Sequence, residues 1–558
     1  MKLQVQSAIL MHLTGSRRLE VTFINSDFLK ISGIKERATK PFRTSLFILA
    51  AALLVSPCLT NTFTAQHAGA QAESSAFIVK PYIQLGNESK LQKSESVEII
   101  WLAIEKDADA AKLWKVECDP KNNASWEEGK IEEALQMGFV AGQPIFRFTA
   151  KVTNLIPGKP FSYRLSREGK RAFQSQATAR KSEKQPFRFA IVGDIGSGSS
   201  GQKRVAHQIA LNKPDLFVIP GDIVYDRGLV SEYLYRFFPI MNSDTSSPSS
   251  GAPLLRSVLT MPVIGNHDVA LTNPGQGVNL SRFPDALGYY LLWSSPLNGP
   301  TKLINAKNTT RLGGSAANQL SFVKAAGKRF PVMANYSFDY GNSHWIVLDG
   351  NGYMDWTDEK TRKWVDDDLA KAKNATWKFA TFHQPGFSVD ESHADEQRMR
   401  LLSDIFEKHN IDIVFAGHAH CYQRTIPLRF KPDLKKLAPG PYQDAVAGSF
   451  TFDKKFDGKT NTMPNGIIYI VTGGGGANLY QEKDNALMAP FIHKFVYAHS
   501  FSLVDINDRT LQMSQVTADG KVVDQFSLTK PGSVPLKIGG DMKLEKAANG
   551  ALQPNSGH

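Results

Sequence analysis

Five apolar runs beyond residue 186 end in the same way, and that repetition constrains the fold more than any other feature of the chain. FAIV runs into Gly193-Asp194, LFVIP into Gly221-Asp222 and MPVI into Gly265-Asn266-His267-Asp268, while KFATF ends on His383 and IVFA on Gly417-His418-Ala419-His420. A short apolar run bounded by turn residues reads as a buried strand. In open α/β sheets, ligands gather beyond the carboxyl ends of the strands. Singly, each ending says little, because Gly-Asp after a strand is ordinary turn chemistry. Five of them, all at carboxyl ends, point to one site.

The residue types at these ends are donors for metal ions. Asp194, Asp222 and Tyr225 offer anionic or phenolic oxygen, Asn266 an amide oxygen, and His383, His418 and His420 imidazole nitrogen. Seven donors exceed what one ordinary ion takes, whereas two ions sharing a carboxylate would use them all. A mixed N/O set without thiolate suits iron, zinc or manganese rather than a Cys-rich structural zinc site. A phenolate is a hard anionic donor that favours a trivalent ion, so ligation by Tyr225 would indicate ferric iron in one position. His418 and His420, two apart in an extended segment, leave it on the same side.

The rest of the chain divides by pattern. At 558 residues it is long for one domain. Lys35, Arg37, Lys40 and Arg43 precede the apolar run Leu46–Val55, and A-x-A sites follow at Ala70 and Ala72. This is the pattern of a secretory signal, and the run falls short of the roughly 20 residues that span a bilayer. Residues 1–72 are therefore expected to be a signal peptide with a long lead, which a start assigned too early would explain. They hold eight Lys/Arg and three Asp/Glu, so about +7 of the net +12 remains after their removal. A mildly basic remainder suits an anionic substrate, but no Lys/Arg cluster is dense enough to argue for nucleic acid. Of three cysteines, Cys58 lies in the signal, and Cys118 and Cys421 remain, with pairing left open.

From 76 to 180 the chain reads as strands, SVEIIWLAI, FRFTAKV and PFSYRLS, separated by Asn, Pro and Gly turns. A small β-sandwich is expected there. After the polar linker at 181–185, strands alternate with helical stretches at 202–212, 358–373 and 395–409, and three strand-like runs close the pattern before a flexible tail at 531–558. That is the grammar of an α/β layered sheet. The glycine run Gly473–Gly476 lacks the Lys-Ser/Thr of a phosphate loop and reads as a tight turn near the site.

In this order, GDIG, GDIVY, GNHD, FH and GHAH resemble the five blocks of the calcineurin-like metallophosphoesterases. Tyr225, three residues after Asp222, is similar to the purple acid phosphatase branch. LIPGKPFSYRL resembles a late-strand pattern of the fibronectin-III-like sandwich that precedes the catalytic domain in its two-domain plant form. The resemblance implies an α/β fold, a four-layer sandwich of two mixed sheets flanked by helices over residues 186–530, preceded by the β-sandwich at 76–180. It implies a dinuclear centre of Fe(III) and a divalent ion, zinc, iron or manganese. Asp194, Asp222, Tyr225 and His420 would hold the ferric ion, and Asp222, Asn266, His383 and His418 the divalent one, with Asp222 bridging. His267 and His393 fall where the family places histidines that contact the substrate phosphate, although only one of an adjacent pair is present at His393. Asp268 stands where plant forms usually have Glu.

The implied activity is that of a secreted or periplasmic acid phosphatase, which hydrolyses small phosphate monoesters by in-line attack of a metal-activated hydroxide. No nucleic-acid partner is expected, and no membrane contact beyond the signal. A phosphodiesterase or nucleotidase using the same metals is the alternative, and a surface-binding protein with a decayed hydrolase domain is a more distant one.

Overall fold

The computed structural model describes residues 76–532 apart from 141, 271–276, 438–439, 442–443 and 484–488, together with the backbone of 8–14 and 18–24. The signal expected at Lys35–Ala72 and the tail beyond residue 532 lie outside the described residues. Ala8–Thr14 and Arg18–Ile24 pair as an antiparallel hairpin where the sequence reading assigns no fold. Two strand-length apolar runs around Gly-Ser-Arg are a hairpin pattern in their own right.

Between Val79 and Thr178, seven antiparallel strands form one continuous sheet. The 14-residue strand Glu127–Val140 joins its two halves. Most of its length pairs with Gln143–Leu155, and its first three residues pair with Trp114–Asp119. Side chains from both halves, among them Trp101, Val116, Phe148, Phe161 and Leu165, meet in a single core. The strand Glu95–Ile104 explains why SVEIIWLAI runs apolar without alternating. Ile99, Trp101 and Ala103 face the sandwich core, while Ile100 and Leu102 pack with Trp293 and the body of the protein beyond. Arg180 completes this junction: it pairs with Glu95 at 2.6 Å, both side chains being buried, and donates to the Asp339 carbonyl at 3.0 Å.

Two further sheets follow. In the first, Leu259–Pro262, Leu216–Ile219 and Phe187–Ile191 run parallel, and Ser500–Asn507, Thr510–Thr517 and Val522–Thr529 continue antiparallel. In the second, Ser343–Val347, Trp377–Thr381, Ile413–Ala416 and Ile468–Thr472 are parallel, with antiparallel strands on both edges. Their facing surfaces bury Val218, Met261, Phe379, Phe415, Ile470 and Phe526 together. Phe189 sits edge-on to Trp345 at 5.0 Å between ring centroids. Helix Ser200–Leu211 covers the outer face of the first sheet and helix Glu359–Lys371 that of the second. The result is the four-layer α/β sandwich expected from the motif order. Both helices start at side-chain caps, Ser199 accepting from the Gln202 amide and Asp358 from the Thr361 amide.

The helix expected at 395–409 is shorter, a 3₁₀ turn Arg398–Leu402 followed by Ser403–Lys408. The Asp390 carboxylate accepts the amides of Ser392 and His393, and the Glu396 side chain reaches His418, so the preceding residues serve the site instead of a helix. Cys118 and Cys421 are both buried free thiols. No helix among the described residues is long and apolar enough to cross a membrane.

One ion-pair group ties an edge of the second sheet to its covering helix. His344 contacts Asp339 through Nδ1 at 2.7 Å and Asp368 through Nε2 at 3.0 Å. Burial favours the neutral ring, but the two carboxylates outweigh it and raise the imidazole to about 9. A histidine raised above its ordinary value of about 6.5 contributes stability that is complete below that value and is lost as pH rises through the folded one. The midpoint of urea unfolding should therefore fall between pH 6.5 and 9.5, with up to about 3 kcal/mol at stake. His344→Gln should flatten that slope; an unchanged slope in the variant would contradict the assignment.

Candidate metal centre

All five strand ends singled out in the sequence converge on one cleft. Phe187–Ile191 delivers Asp194, Leu216–Ile219 delivers Asp222 and Tyr225, and Leu259–Pro262 delivers Asn266 and His267. Trp377–Thr381 and Ile413–Ala416 bring His383, His418 and His420 from the opposing sheet. Three of these residues, Asp194, Asp222 and His418, have backbone φ of 60°, 50° and 69°. Left-handed geometry at a residue with a Cβ costs on the order of 1 kcal/mol and persists only where its surroundings enforce it. Here it turns each side chain sharply off its strand into the cleft.

The packing leaves no room for alternatives. At Gly221, with φ of 83°, a Cβ would collide with the His383 ring. The glycine run does form a turn beside the site: a Cβ on Gly473 would meet the Asp194 carboxylate at 2.7 Å. Asp268 holds the GNHD turn in place by accepting the amides of Gly265 at 2.8 Å and Ile223 at 3.2 Å. Burial, and then the Asp222 charge, raise its carboxyl to about 7. Asp349 binds the Asn351 amide and Tyr353 hydroxyl, as a turn residue does.

The donor atoms singled out in the sequence fall into two groups that share Asp222, and a third cluster, His393, Glu396 and His418, adjoins the second. Ligand atoms of Asp194, Asp222 and His420 lie within 4.8 Å of one another, and so do those of Asp222, His383 and His418. Tyr225 joins the first group, its hydroxyl 3.0 Å from both Asp194 Oδ1 and His420 Nε2. Asn266 contributes a buried Oδ1 without a hydrogen-bond partner, a polar atom that a cation would satisfy. The three imidazoles are oriented from behind. His383 Nδ1–H donates to the Pro220 carbonyl at 2.8 Å, His420 Nδ1–H to the Asn478 carbonyl at 2.5 Å, and His418 Nε2–H to Glu396 at 3.1 Å. Each ring thus turns its other nitrogen inward, the arrangement found for metal-ligating histidines.

Charge in this pocket is held by pairing. Burial would raise Asp222, but the His383 and His267 charges win and hold its carboxyl below the usual range. Burial would likewise lower His383, yet Asp222 and Asp194 raise it to about 10. His418 goes the other way, lowered by burial to about 4 despite Glu396. Tyr225 is driven well above its ordinary value by burial and then by Asp194 and Asp222, so without a strongly polarising cation it stays a phenol.

His267 and His393 flank the donors. His267 packs on the Tyr225 ring at 4.4 Å, holds Nδ1–H on the Asp226 carbonyl at 2.7 Å and points Nε2 toward Asp222 at 3.8 Å. His393 packs against His418 with its ring tilted, 3.8 Å between centroids. Sequence reasoning did not single out Glu396, Asn478 or Tyr480, whose ring stacks on His420 at 4.1 Å. Only the spacing of Glu396, three residues after His393, could have suggested it; Asn478 acts through its backbone and leaves no signature in side-chain type.

Comparison with known proteins places the domain and its fold. Residues 187–422 match the family model of the calcineurin-like phosphoesterases. Purple acid phosphatase 23 of Arabidopsis thaliana is 27% identical over 257 residues, 43% of this chain and 48% of that protein. Purple acid phosphatase 21 of the same plant is 25% identical over 338 residues, 58% and 57% of the two chains. The chain spans about half the length of the curated relatives it matches. A purple acid phosphatase from yellow lupin seeds shares the fold, with a TM-score of 0.57 at 18% identity over 80% of this chain and 74% of that one.

Glu396 gives the sharpest test of the second donor group. Glu396→Gln keeps the shape but weakens the grip on His418, and partners of this kind are worth about 10–100-fold in metal affinity. Competition with a chelator should show one ion of two bound more weakly, and equal retention of both would contradict the role.

Proposed function

The chain carries a calcineurin-like phosphoesterase domain at residues 187–422, and we propose that it is a metal-dependent acid phosphatase hydrolysing phosphate monoesters. The observation that carries the proposal is the convergence of inward-facing imidazole nitrogens, each fixed by an acceptor behind it, on Asp222, which the turn holding the unsatisfied Asn266 oxygen binds through the His267 amide. Asp194, Asp222, Tyr225 and His420 would hold Fe(III), and Asp222, Asn266, His383 and His418 a divalent ion, zinc, iron or manganese. The high proton affinity of the Tyr225 phenol supports the trivalent assignment, since a weakly polarising ion would leave it protonated. When bound, the two ions supply Lewis-acid polarisation of the phosphoryl group and a nucleophile at low pH.

The chain's own residues do the rest. Asp222 serves both donor groups and so sets their separation. The His267 ring is oriented by the Asp226 carbonyl, which leaves Nε2 for a phosphate oxygen; as imidazolium it balances phosphate charge and hands a proton to the leaving oxygen. His393, partly exposed and packed on His418, would act on the same phosphate. The division into a fibronectin-III-like sandwich at 76–180 and a catalytic domain at 186–530 belongs to this proposal. So does export from the cytoplasm, supported by the basic-then-apolar segment at Lys35–Val55.

Three outcomes follow. Asp222→Asn should lower kcat on p-nitrophenyl phosphate by at least 10³-fold, and full activity in that variant would refute the shared-carboxylate arrangement. Iron-loaded wild type should be pink to purple through tyrosinate ligation, and Tyr225→Phe should bleach it; a colourless, fully active wild type holding only zinc or manganese would overturn the ferric assignment. A bis-ester assayed beside the monoester tests the substrate class, and a large preference for the diester would displace the monoesterase reading.

A further inference from the structure

Among the described residues, two arginines, Arg227 and Arg282, have no anionic partner. Arg227 follows Asp226, whose carbonyl holds His267, and its guanidinium carbon lies 4.7 Å from the Phe283 ring centroid. Arg282 approaches the same ring at 5.1 Å. Two like charges thus stand no more than about 10 Å apart, within one Debye length at 0.1 M salt. Among the described residues neither guanidinium forms a salt bridge or hydrogen bond. The neighbouring Asp226 carboxylate is directed to Arg236 at 3.7 Å instead.

Hydrogen bonds hold the backbone under these arginines. The Arg227 and Leu229 amides donate to Glu232 at 3.0 and 2.9 Å, and the Val230 amide donates to the Asp285 carbonyl at 2.8 Å. Ser231 donates to the Asp285 carboxylate at 2.8 Å, and the Phe283 amide donates to the Asn279 carbonyl at 2.9 Å. These bonds clamp the Arg227 segment to the Phe283 loop. Like charges held close on fixed backbone repel each other, and an anion between or beside them relieves that repulsion. Guanidinium forks match phosphate in particular.

We propose that Arg227 and Arg282, arrayed on Phe283, form a subsite for a second phosphate, so that the preferred substrates are esters whose leaving group is itself phosphorylated. The proposal rests on the phosphatase reading above. It places the scissile phosphate over the metal donors and His267, and the second phosphate on the arginines, which the chain joins to His267 through the Asp226 carbonyl. An exposed stack of this kind acts through electrostatic attraction, so its effect weakens with salt.

The test compares fructose 1,6-bisphosphate with fructose 6-phosphate, using the metal-loaded full chain at low salt. Wild type should favour the bisphosphate about tenfold in kcat/KM, chiefly through KM. The Arg227→Gln/Arg282→Gln double variant should lose that preference while hydrolysing p-nitrophenyl phosphate at an unchanged rate. An unchanged preference in the variant overturns the subsite. Calorimetric binding of the bisphosphate reads the same arginines without turnover: about tenfold weaker binding by the variant supports the subsite, and equal binding overturns it. Failure of wild type to hydrolyse p-nitrophenyl phosphate would instead overturn the phosphatase reading and leave calorimetry to decide the subsite.

Discussion

Burial of mutually attracting charge is the constraint on which this structure turns. Asp194, Asp222 and His383 are all but excluded from solvent, and His418 and His420 are nearly so. An ionised carboxylate taken from water costs several kcal/mol unless it is paired. In the protein as described, that pairing is between Asp222 and His383, 3.2 Å apart, and between Asp194 and His420, 3.4 Å apart. The same groups hold cations only by giving up the proton on His383, so metal loading releases protons and is favoured as pH rises. The same buried side chains thus balance charge with protons in one state and would balance it with cations in the other.

The layers around the cleft make that possible. Two parallel strand sets from facing sheets end at the same level, and the aromatic packing of Phe189 against Trp345, Phe379 and Phe415 fixes their relative height. Donors from one sheet and imidazoles from the other then meet without any long flexible reach. The β-sandwich contributes to this rigidity at a distance. Its strand Glu95–Ile104, buried on both faces, packs into the core that carries the 230–241 helical turns and Trp293.

Much of this was legible in the chain because strand ends advertise themselves. An apolar run stopped by Gly and a donor carries the element and its donor, and Asp194, Asp222, Tyr225, His383, His418 and His420 lie together in the structure, although His418, at φ 69°, sits in a turn and not in the extended segment read from His418-Ala419-His420. What stayed hidden acts through backbone or through distant pairing. The Pro220 and Asn478 carbonyls orient two imidazoles and could be any residue. The helix read at 395–409 fails at its start because Glu396 has a stronger partner in His418 than a solvent-facing helical position offers. Burial of Glu95–Ile104 on both faces explains its unbroken apolar run, yet the sequence alone gave no partner for the second face.

The most direct measurement of the central claim is anomalous diffraction from crystals of the metal-loaded protein, collected at the iron edge and at the edge of the second metal. The account predicts two peaks roughly 3.5–4 Å apart on either side of the Asp222 carboxylate, iron beside Tyr225 and the other metal beside Asn266. A single peak, or a pair centred on His393, Glu396 and His418 with Asp222 left unliganded, would contradict it.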